Sequence, residues 1–244
     1  MSSAIYDTIF AGKKKTLSLL IDPEGQDNEL LIRTLKIASK ASVDVILVGG
    51  SLISRPVDET ILIIRDHTVC PIVLFPGSLF QLSGKADGIL LLSMLSGRNP
   101  EYLIGNHILA SRYLKNSGME IIPTGYILID GQHLSSVEYI SNTRPIPSDK
   151  PEIVVATALA GEQLGLKLIY LEAGSGANAR IHEGIVASVR QNLTMPVLVG
   201  GGLKTPEDIR TLYQAGASGV VIGSAIEENY RILPSLAAVR DEFR

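Results

Sequence analysis

Residues 167–176 read KLIYLEAGSG. Leu168, Ile169, Tyr170 and Leu171 are apolar and suited to a strand, and a carboxylate, Glu172, stands where that strand should end. Ala173, Gly174, Ser175 and Gly176 follow, small residues whose backbone N–H groups can close on an anion. A carboxylate aimed from a buried strand end, with an anion-binding loop just beyond it, points to a phosphate-bearing substrate with a base at its side. The plainer reading is an ordinary strand end followed by a flexible loop, because Gly/Ser loops are common. The rest of the chain decides between them.

Working outward, the same unit recurs. Downstream, a helix is expected over 179–191, a strand over 196–199 ending in Gly200-Gly201-Gly202, and a helix opened by Thr205 and Pro206 and closed by Gly216. A strand over 219–222 then ends in Gly223-Ser224, and a last helix spans 226–239. Upstream, strands are expected over 16–21, 43–48, 71–75, 88–94 and 120–128, with helices over 29–40, 57–66, 99–116 and 153–164. Residues 79–85 are too short for a full crossover helix. Pro123 and Gly125 inside the 120–128 strand predict an irregular, bulged strand. Residues 130–151 are polar and predict a long loop of the kind that often serves as a lid.

The strands are continuously apolar, as parallel strands buried on both faces should be, and they alternate with helices. Eight such repeats in 244 residues favour a (β/α)8 TIM barrel, with a reduced third helix, over an open doubly wound sheet. The length is close to the ~250 residues typical of that fold, so a single barrel domain over 1–244 is expected. No GxGxxG follows the first strand, which removes the main dinucleotide-binding cue.

Bulk properties narrow the function. The net charge is −3 with 45% hydrophobic and 5% aromatic residues and no Trp, which argues against a nucleic-acid surface or a base-stacking platform. The one cysteine, Cys70, reads as a small buried hydrophobe rather than a nucleophile, and no internal disulfide can form. No apolar run approaches the ~18 residues of a membrane span, and residues 1–15 lack a signal-peptide core. A cytoplasmic enzyme is the expectation. The four histidines, His67, His107, His133 and His182, show no metal-ligand spacing.

In a (β/α)8 barrel the C-terminal strand ends form one mouth, and a phosphate commonly sits at loops seven and eight. Here that mouth would collect Asp22, Ser51, Ser78, Ser96, Glu172, Ser175 and Ser224, with Gly200-Gly201-Gly202 and Gly223-Ser224 on loops seven and eight. Asp22, on the side away from the phosphate, could hold Mg²⁺, which takes few protein carboxylates and several substrate oxygens. Ser51 could add an oxygen ligand. The plainer readings are a turn residue before Pro23 and a loop serine.

LIDPEG at 20–25, VGGS at 48–51, FPGS at 75–78, YLEAGSG at 170–176, VGGGL at 199–203 and VVIGSA at 220–225 together resemble the geranylgeranylglyceryl phosphate synthase family, which includes the heptaprenylglyceryl phosphate synthases. The resemblance covers nearly the whole chain. It implies a (β/α)8 barrel with a reduced third helix and a prenyltransferase that joins sn-glycerol 1-phosphate to a polyprenyl diphosphate. By the resemblance, Tyr170, Leu171, Glu172, Ala173, Gly174, Ser175, Gly176, Gly201, Gly202, Gly223 and Ser224 bind glycerol 1-phosphate, and Asp22 and Ser51 bind Mg²⁺. Threonine often stands at the Ser51 position. Glu172 matches the proposed base, and Tyr102 matches a bulky aromatic that limits prenyl chain length, which favours geranylgeranyl over heptaprenyl diphosphate. The plainer reading of Tyr102 is a core tyrosine.

The competing classes are a sugar-phosphate isomerase or aldolase barrel, an FMN-binding oxidoreductase and a non-catalytic binding barrel. No lysine at a strand end marks an aldolase. An apolar face at Tyr102, Leu103 and Ile104 suggests a homo-oligomer. A lipid product implies transient membrane contact without a transmembrane segment, and no nucleic acid partner is expected.

Overall fold

The computed structural model describes residues 5–24 and 27–244. Gly25, at the end of the LIDPEG motif, and the first four residues of the N-terminal stretch lie outside the described residues. Eight strands pair in parallel and in sequence order: β1 (Thr16–Ile21), β2 (Val45–Val48), β3 (Ile72–Leu74), β4 (Gly88–Met94), β5 (Glu120–Leu128), β6 (Leu168–Glu172), β7 (Val197–Gly200) and β8 (Gly219–Ile222). β8 pairs back onto β1, so the sheet closes into a barrel. The helices that follow are α1 (Asn28–Lys40), α2 (Asp58–His67), α3 (Asn106–Ser117), α4 (Ser136–Ser141), α5 (Pro151–Gln163), α6 (Glu183–Asn192), α7 (Pro206–Gln214), α8 (Ser224–Asn229) and α9 (Leu233–Asp241).

Strand side chains alternate between two apolar layers. Leu17, Leu19, Ile21, Ile169, Leu171, Val197 and Val199 pack outward under the helices. Val45, Leu47, Val73, Leu90, Tyr126, Tyr170, Leu198 and Val221 fill the interior. This is why the strands read as unbroken apolar runs. Ile5 and Phe10, beside a wide helical turn at Tyr6–Phe10, join the interior layer. The Glu120 carboxylate accepts the N–H groups of Ile5 and Tyr6. That contact closes the end of the barrel where β5 begins and leaves the opposite end open.

Four expectations need correction. First, β5 is regular: it pairs with β4 residue for residue from Glu120 to Tyr126 and with β6 from Thr124 to Leu128. The Pro123 carbonyl accepts the Lys167 N–H at 2.9 Å, one residue before the β6 ladder starts. The donor that proline lacks therefore faces the ladder's end and breaks no bond within it. Gly125 is there for packing. A Cβ on it would sit 2.7 Å from Leu95 Cδ1 and 2.8 Å from Ile169 Cδ1, and a Cβ on Gly161 of α5 would meet the same two atoms at 2.7 and 3.0 Å. The two glycines leave room for leucine and isoleucine side chains between strand and helix. Gly161→Leu should therefore overpack this contact and lower stability by about 1–3 kcal/mol, read as a lower urea midpoint at unchanged m-value.

Second, the 130–151 loop is not structureless. It contains α4, whose N-terminus is capped by the Ser135 hydroxyl accepting the Glu138 N–H, and a bridge between Ile129 and Ile146. Third, the last helix breaks into α8, a tight turn at Tyr230–Ile232 and α9. Pro234, inside the first turn of α9, cannot donate to a continuous helix. Fourth, α6 starts at Glu183 rather than near 179, because the His182 ring nitrogen caps it by accepting the Gly184 N–H at 3.0 Å. The third helix is indeed reduced, to a single turn at Leu79–Gln81.

Candidate active site

Glu172 ends β6 and points into the mouth, 6% exposed. Burial pushes its carboxyl up to about 7, and hydrogen bonds from the Gly174 N–H and the Tyr170 phenol hold it from rising further. The Gly174 N–H lies 2.6 Å from Oε1. Tyr170 is buried in the barrel, stacked on Tyr126 at 5.4 Å between ring centroids and tilted against Phe75 at 5.0 Å. The environment leaves this carboxyl poised near neutrality, the range that suits a general base.

Three loops converge around it. The Ala173 N–H bonds the Gly200 carbonyl at 3.1 Å, which ties loop six to loop seven. The Ser175 and Ser224 hydroxyls lie 3.3 Å apart, which ties loop six to loop eight. Gly201, at φ +80°, lies so close to loop six that a Cβ would sit 2.8 Å from the amide nitrogens of Ala173 and Gly174. The left-handed backbone and the absent side chain let loop seven close on loop six. The Ser175 and Ser224 hydroxyls and the glycine backbone of residues 176, 201, 202 and 223 thus line one small space beside Glu172, a lining with the chemistry to take a phosphate dianion.

Asp22 follows β1 across the mouth. Burial is the main cause that raises its carboxyl above the usual range, with the Glu24 N–H pulling the other way and the Glu24 carboxylate adding to the rise. The Glu24 N–H donates to Oδ1 at 2.9 Å. Burial and the Asp22 charge likewise raise Glu227. Asp22 and Ser51 line the same cavity. A half-buried carboxylate near Glu24 and Glu227, with a hydroxyl on the wall of the same cavity, is a donor set that fits a hard cation sharing its shell with waters and substrate oxygens. Among the described residues no group of three or more His, Cys, Asp or Glu forms a protein-only cage.

A cavity of about 340 Å³ joins the two sides. Its floor is Tyr126, Tyr170 and Phe75, and an apolar arm runs between β4 and α3 past Leu91, Leu92, Tyr102, His107 and Ala110. Val137 and Ile140 of α4 roof that arm. α4 is held at both ends. Asn99 Nδ2 donates to the Ser141 carbonyl at 2.8 Å, and a Cβ on Gly174 would lie 2.8 Å from Ser135 Cβ.

Of the residues singled out from sequence, Asp22, Ser51, Ser78, Tyr102, Tyr170, Glu172, Ser175, Gly176, Gly201, Gly202, Gly223 and Ser224 line this cavity. Leu171 packs outward under the helices, and Ala173 and Gly174 stand behind the lining as amide donors or spacers. Ser96 is held elsewhere, accepting the Leu128 N–H at 2.9 Å. Tyr102 turns to the cavity, so the exposed apolar face is Ile104, in the turn Glu101–Gly105, with Ile108 and Leu109 of α3 instead. His107 bonds the Leu92 carbonyl at 2.9 Å. Sequence reasoning missed Tyr126, Phe75, Val137 and Ile140. For the lid a signal was present: Ser135 and Glu138 have capping-box spacing. Cys70 is inert, its thiol pushed up to about 12 by burial and bonded to the Val43 carbonyl at 2.8 Å.

Comparison with known proteins agrees with this geometry. The PcrB family matches residues 11–240. The geranylgeranylglyceryl phosphate synthase of Zunongwangia profunda is 47% identical over 215 residues, covering 88% of this chain and 92% of that protein. That of Spirosoma linguale is 42% identical over 231 residues, covering 94% and 93%. The crystal structure of (S)-3-O-geranylgeranylglyceryl phosphate synthase from Thermoplasma acidophilum, in complex with its substrate sn-glycerol-1-phosphate, is 35% identical, with a TM-score of 0.89 over 94% of each chain. With the family match spanning residues 11–240 and the fold in common, the chain belongs to the PcrB family.

Proposed function

We propose that this protein is a prenyltransferase that forms an ether bond between the C3 hydroxyl of sn-glycerol 1-phosphate and C1 of a polyprenyl diphosphate, geranylgeranyl diphosphate by preference. The products are 3-O-geranylgeranylglyceryl 1-phosphate and diphosphate. The observation that carries the proposal is the position of Glu172: a buried carboxyl, raised to about 7, between a pocket lined by glycines and the Ser175 and Ser224 hydroxyls and an apolar arm of one cavity. The relatives' names and the glycerol phosphate bound in the related crystal structure support the same reading.

The chemistry follows from these residues. Loops six to eight hold the glycerol phosphate dianion, which places its far hydroxyl near Glu172. Glu172 accepts that hydroxyl's proton as the oxygen attacks C1. The C1–oxygen bond of the donor breaks, and its electron pair leaves with the diphosphate. The aromatic floor excludes water, which would otherwise hydrolyse the allylic donor. Asp22 and Ser51 would hold a Mg²⁺, which when bound supplies charge neutralisation to the leaving diphosphate. The apolar arm takes the prenyl tail.

Tyr102 would then cap the arm. Tyr102→Ala should raise the rate with heptaprenyl diphosphate relative to geranylgeranyl diphosphate by about tenfold, on the order of the 1–3 kcal/mol that a side chain's worth of pocket discriminates. An unchanged ratio would remove Tyr102 as the limiter. The reading as a whole is tested by incubating the protein with sn-glycerol 1-phosphate, geranylgeranyl diphosphate and Mg²⁺. A lipid phosphate of the ether's mass is expected, and no such product would return the protein to the sugar-phosphate barrels.

No helix among the described residues is long and apolar enough to cross a membrane. The proposal extends to a reducing, cytoplasmic setting, suited to the lone thiol, and to transient membrane contact for product release. It also extends to a homo-oligomer using the exposed Ile104, Ile108 and Leu109, read by light scattering.

A further inference from the structure

One buried polar side chain plays no part in the chemistry above. Gln81 is 1% exposed and sits on the single turn that stands in place of a third crossover helix. All three of its hydrogen bonds reach the backbone of the two preceding strand-end loops. Its carboxamide oxygen accepts the N–H of Gly50 at 3.3 Å and of Gly77 at 3.1 Å, and its nitrogen donates to the Gly50 carbonyl at 2.7 Å. One amide therefore satisfies both polar groups of residue 50. That fixes the peptide planes on either side of Gly50, and with them the start of Ser51.

Those planes have no slack. A Cβ on Gly50 would lie 2.9 Å from Asp22 Cγ, and one on Gly77 would lie 3.0 Å from Ser51 Cα. Asp22, the Gly50 peptide, Ser51 and Gly77 are in direct contact, and Gln81 holds the middle of the group from behind the cavity wall. Among the described residues, the other end of the site, Glu172 with loops six to eight, makes no hydrogen bond to Gln81.

We propose that Gln81 is a positioning residue for the diphosphate end of the site: by clamping Gly50 and Gly77 it sets where Asp22 and Ser51 meet the donor's diphosphate. The inference rests on assigning Asp22 and Ser51 to that end. Its consequence is one-sided. Loosening the clamp displaces donor ligands and leaves the glycerol phosphate pocket as it was. Supporting partners of this kind typically change affinity 10–100-fold when removed.

The test uses Gln81→Met, which keeps length and loses all three bonds, and Gln81→Glu, which keeps both acceptor roles and loses the donation to the Gly50 carbonyl. Calorimetry with inorganic diphosphate at saturating Mg²⁺, and separately with sn-glycerol 1-phosphate, is run beside wild type and Asp22→Asn, with KM measured for both substrates. The expected result is diphosphate affinity about tenfold or more weaker in Gln81→Met, a smaller loss in Gln81→Glu, and glycerol phosphate affinity within about twofold of wild type. Equal losses for both ligands would make Gln81 a scaffold residue only and overturn the proposal. Diphosphate binding weakened by Asp22→Asn but not by either Gln81 variant would also overturn it, while leaving the functional reading intact. Diphosphate binding indifferent to Asp22→Asn as well would remove the assignment of that end, and the proposal with it. If Gln81→Met fails to fold, Gln81→Glu decides by the same ratio.

Discussion

Glu172→Gln should lower kcat by about 10²–10⁴, the range that a positioned general base contributes, while glycerol phosphate still binds. Glutamine keeps the acceptor for the Gly174 N–H, so loop six stays closed, but it cannot take a proton. The wild-type pH profile should show the same group. With the carboxyl at about 7, kcat/KM should rise through neutrality to a plateau above it, and fall as the pH drops and the base is occupied. The linked effect on stability has the opposite sign. A carboxyl whose folded value lies above its unfolded value of about 4.5 binds its proton more tightly when folded. The barrel therefore loses stability as pH rises from about 4.5 to 7, the interval between the two values. Glu172→Gln, neutral throughout, should consequently melt higher than wild type above pH 7 and differ least below 4.5. An inactive variant with a raised Tm at pH 8 is the expected pair of results. A variant with near-normal kcat would end the assignment of Glu172 as the base.

Asp22→Asn is the second large effect. Asparagine is nearly isosteric and can still accept the Glu24 N–H, so the turn should survive. What it removes is the charge across the mouth from Glu172. The Mg²⁺ concentration for half-maximal rate and the KM for the polyprenyl diphosphate should each rise by about 10–100-fold, by analogy with the loss of groups around metal sites. KM for glycerol 1-phosphate should change little, because the hydrogen bond and the close approach that residue 22 makes run to Glu24 and Gly50. Relief of the shared negative charge should also let Glu227 fall back toward its ordinary range, since Asp22 is among the causes that raise it. A metal requirement unchanged in Asp22→Asn would leave the cation without its proposed ligand.

The barrel was legible because its information is local. Each strand is a run of three to nine residues, mostly apolar on both faces, with glycine, serine, proline or a carboxylate within two residues of its end. Loops six, seven and eight carry their glycines in the sequence itself, so the side proposed to hold the phosphate could be read from residues 172–176, 201–202 and 223–224. The other half was less legible. The apolar arm proposed to take the prenyl tail is assembled from β4, α3 and α4, three elements distant in sequence whose apolar residues look like any core. Gln81 reads as an ordinary turn residue until its three backbone partners, up to 31 positions away, are seen. Pro123 misled because its effect depends on which neighbour its missing N–H would face, and that is set by where β6 begins. Pro234 and the Ser135–Glu138 pair are local signals of the break before α9 and the start of α4.

The central claim is that this mouth joins the C3 oxygen of glycerol phosphate to C1 of the donor. It is tested most directly with sn-glycerol 1-phosphate labelled with ¹⁸O at the C3 hydroxyl, incubated with geranylgeranyl diphosphate and Mg²⁺, and both products analysed by mass spectrometry. The account predicts the label wholly in the ether lipid and none in the released diphosphate. Label in the diphosphate, or diphosphate released with no labelled ether formed, would contradict it.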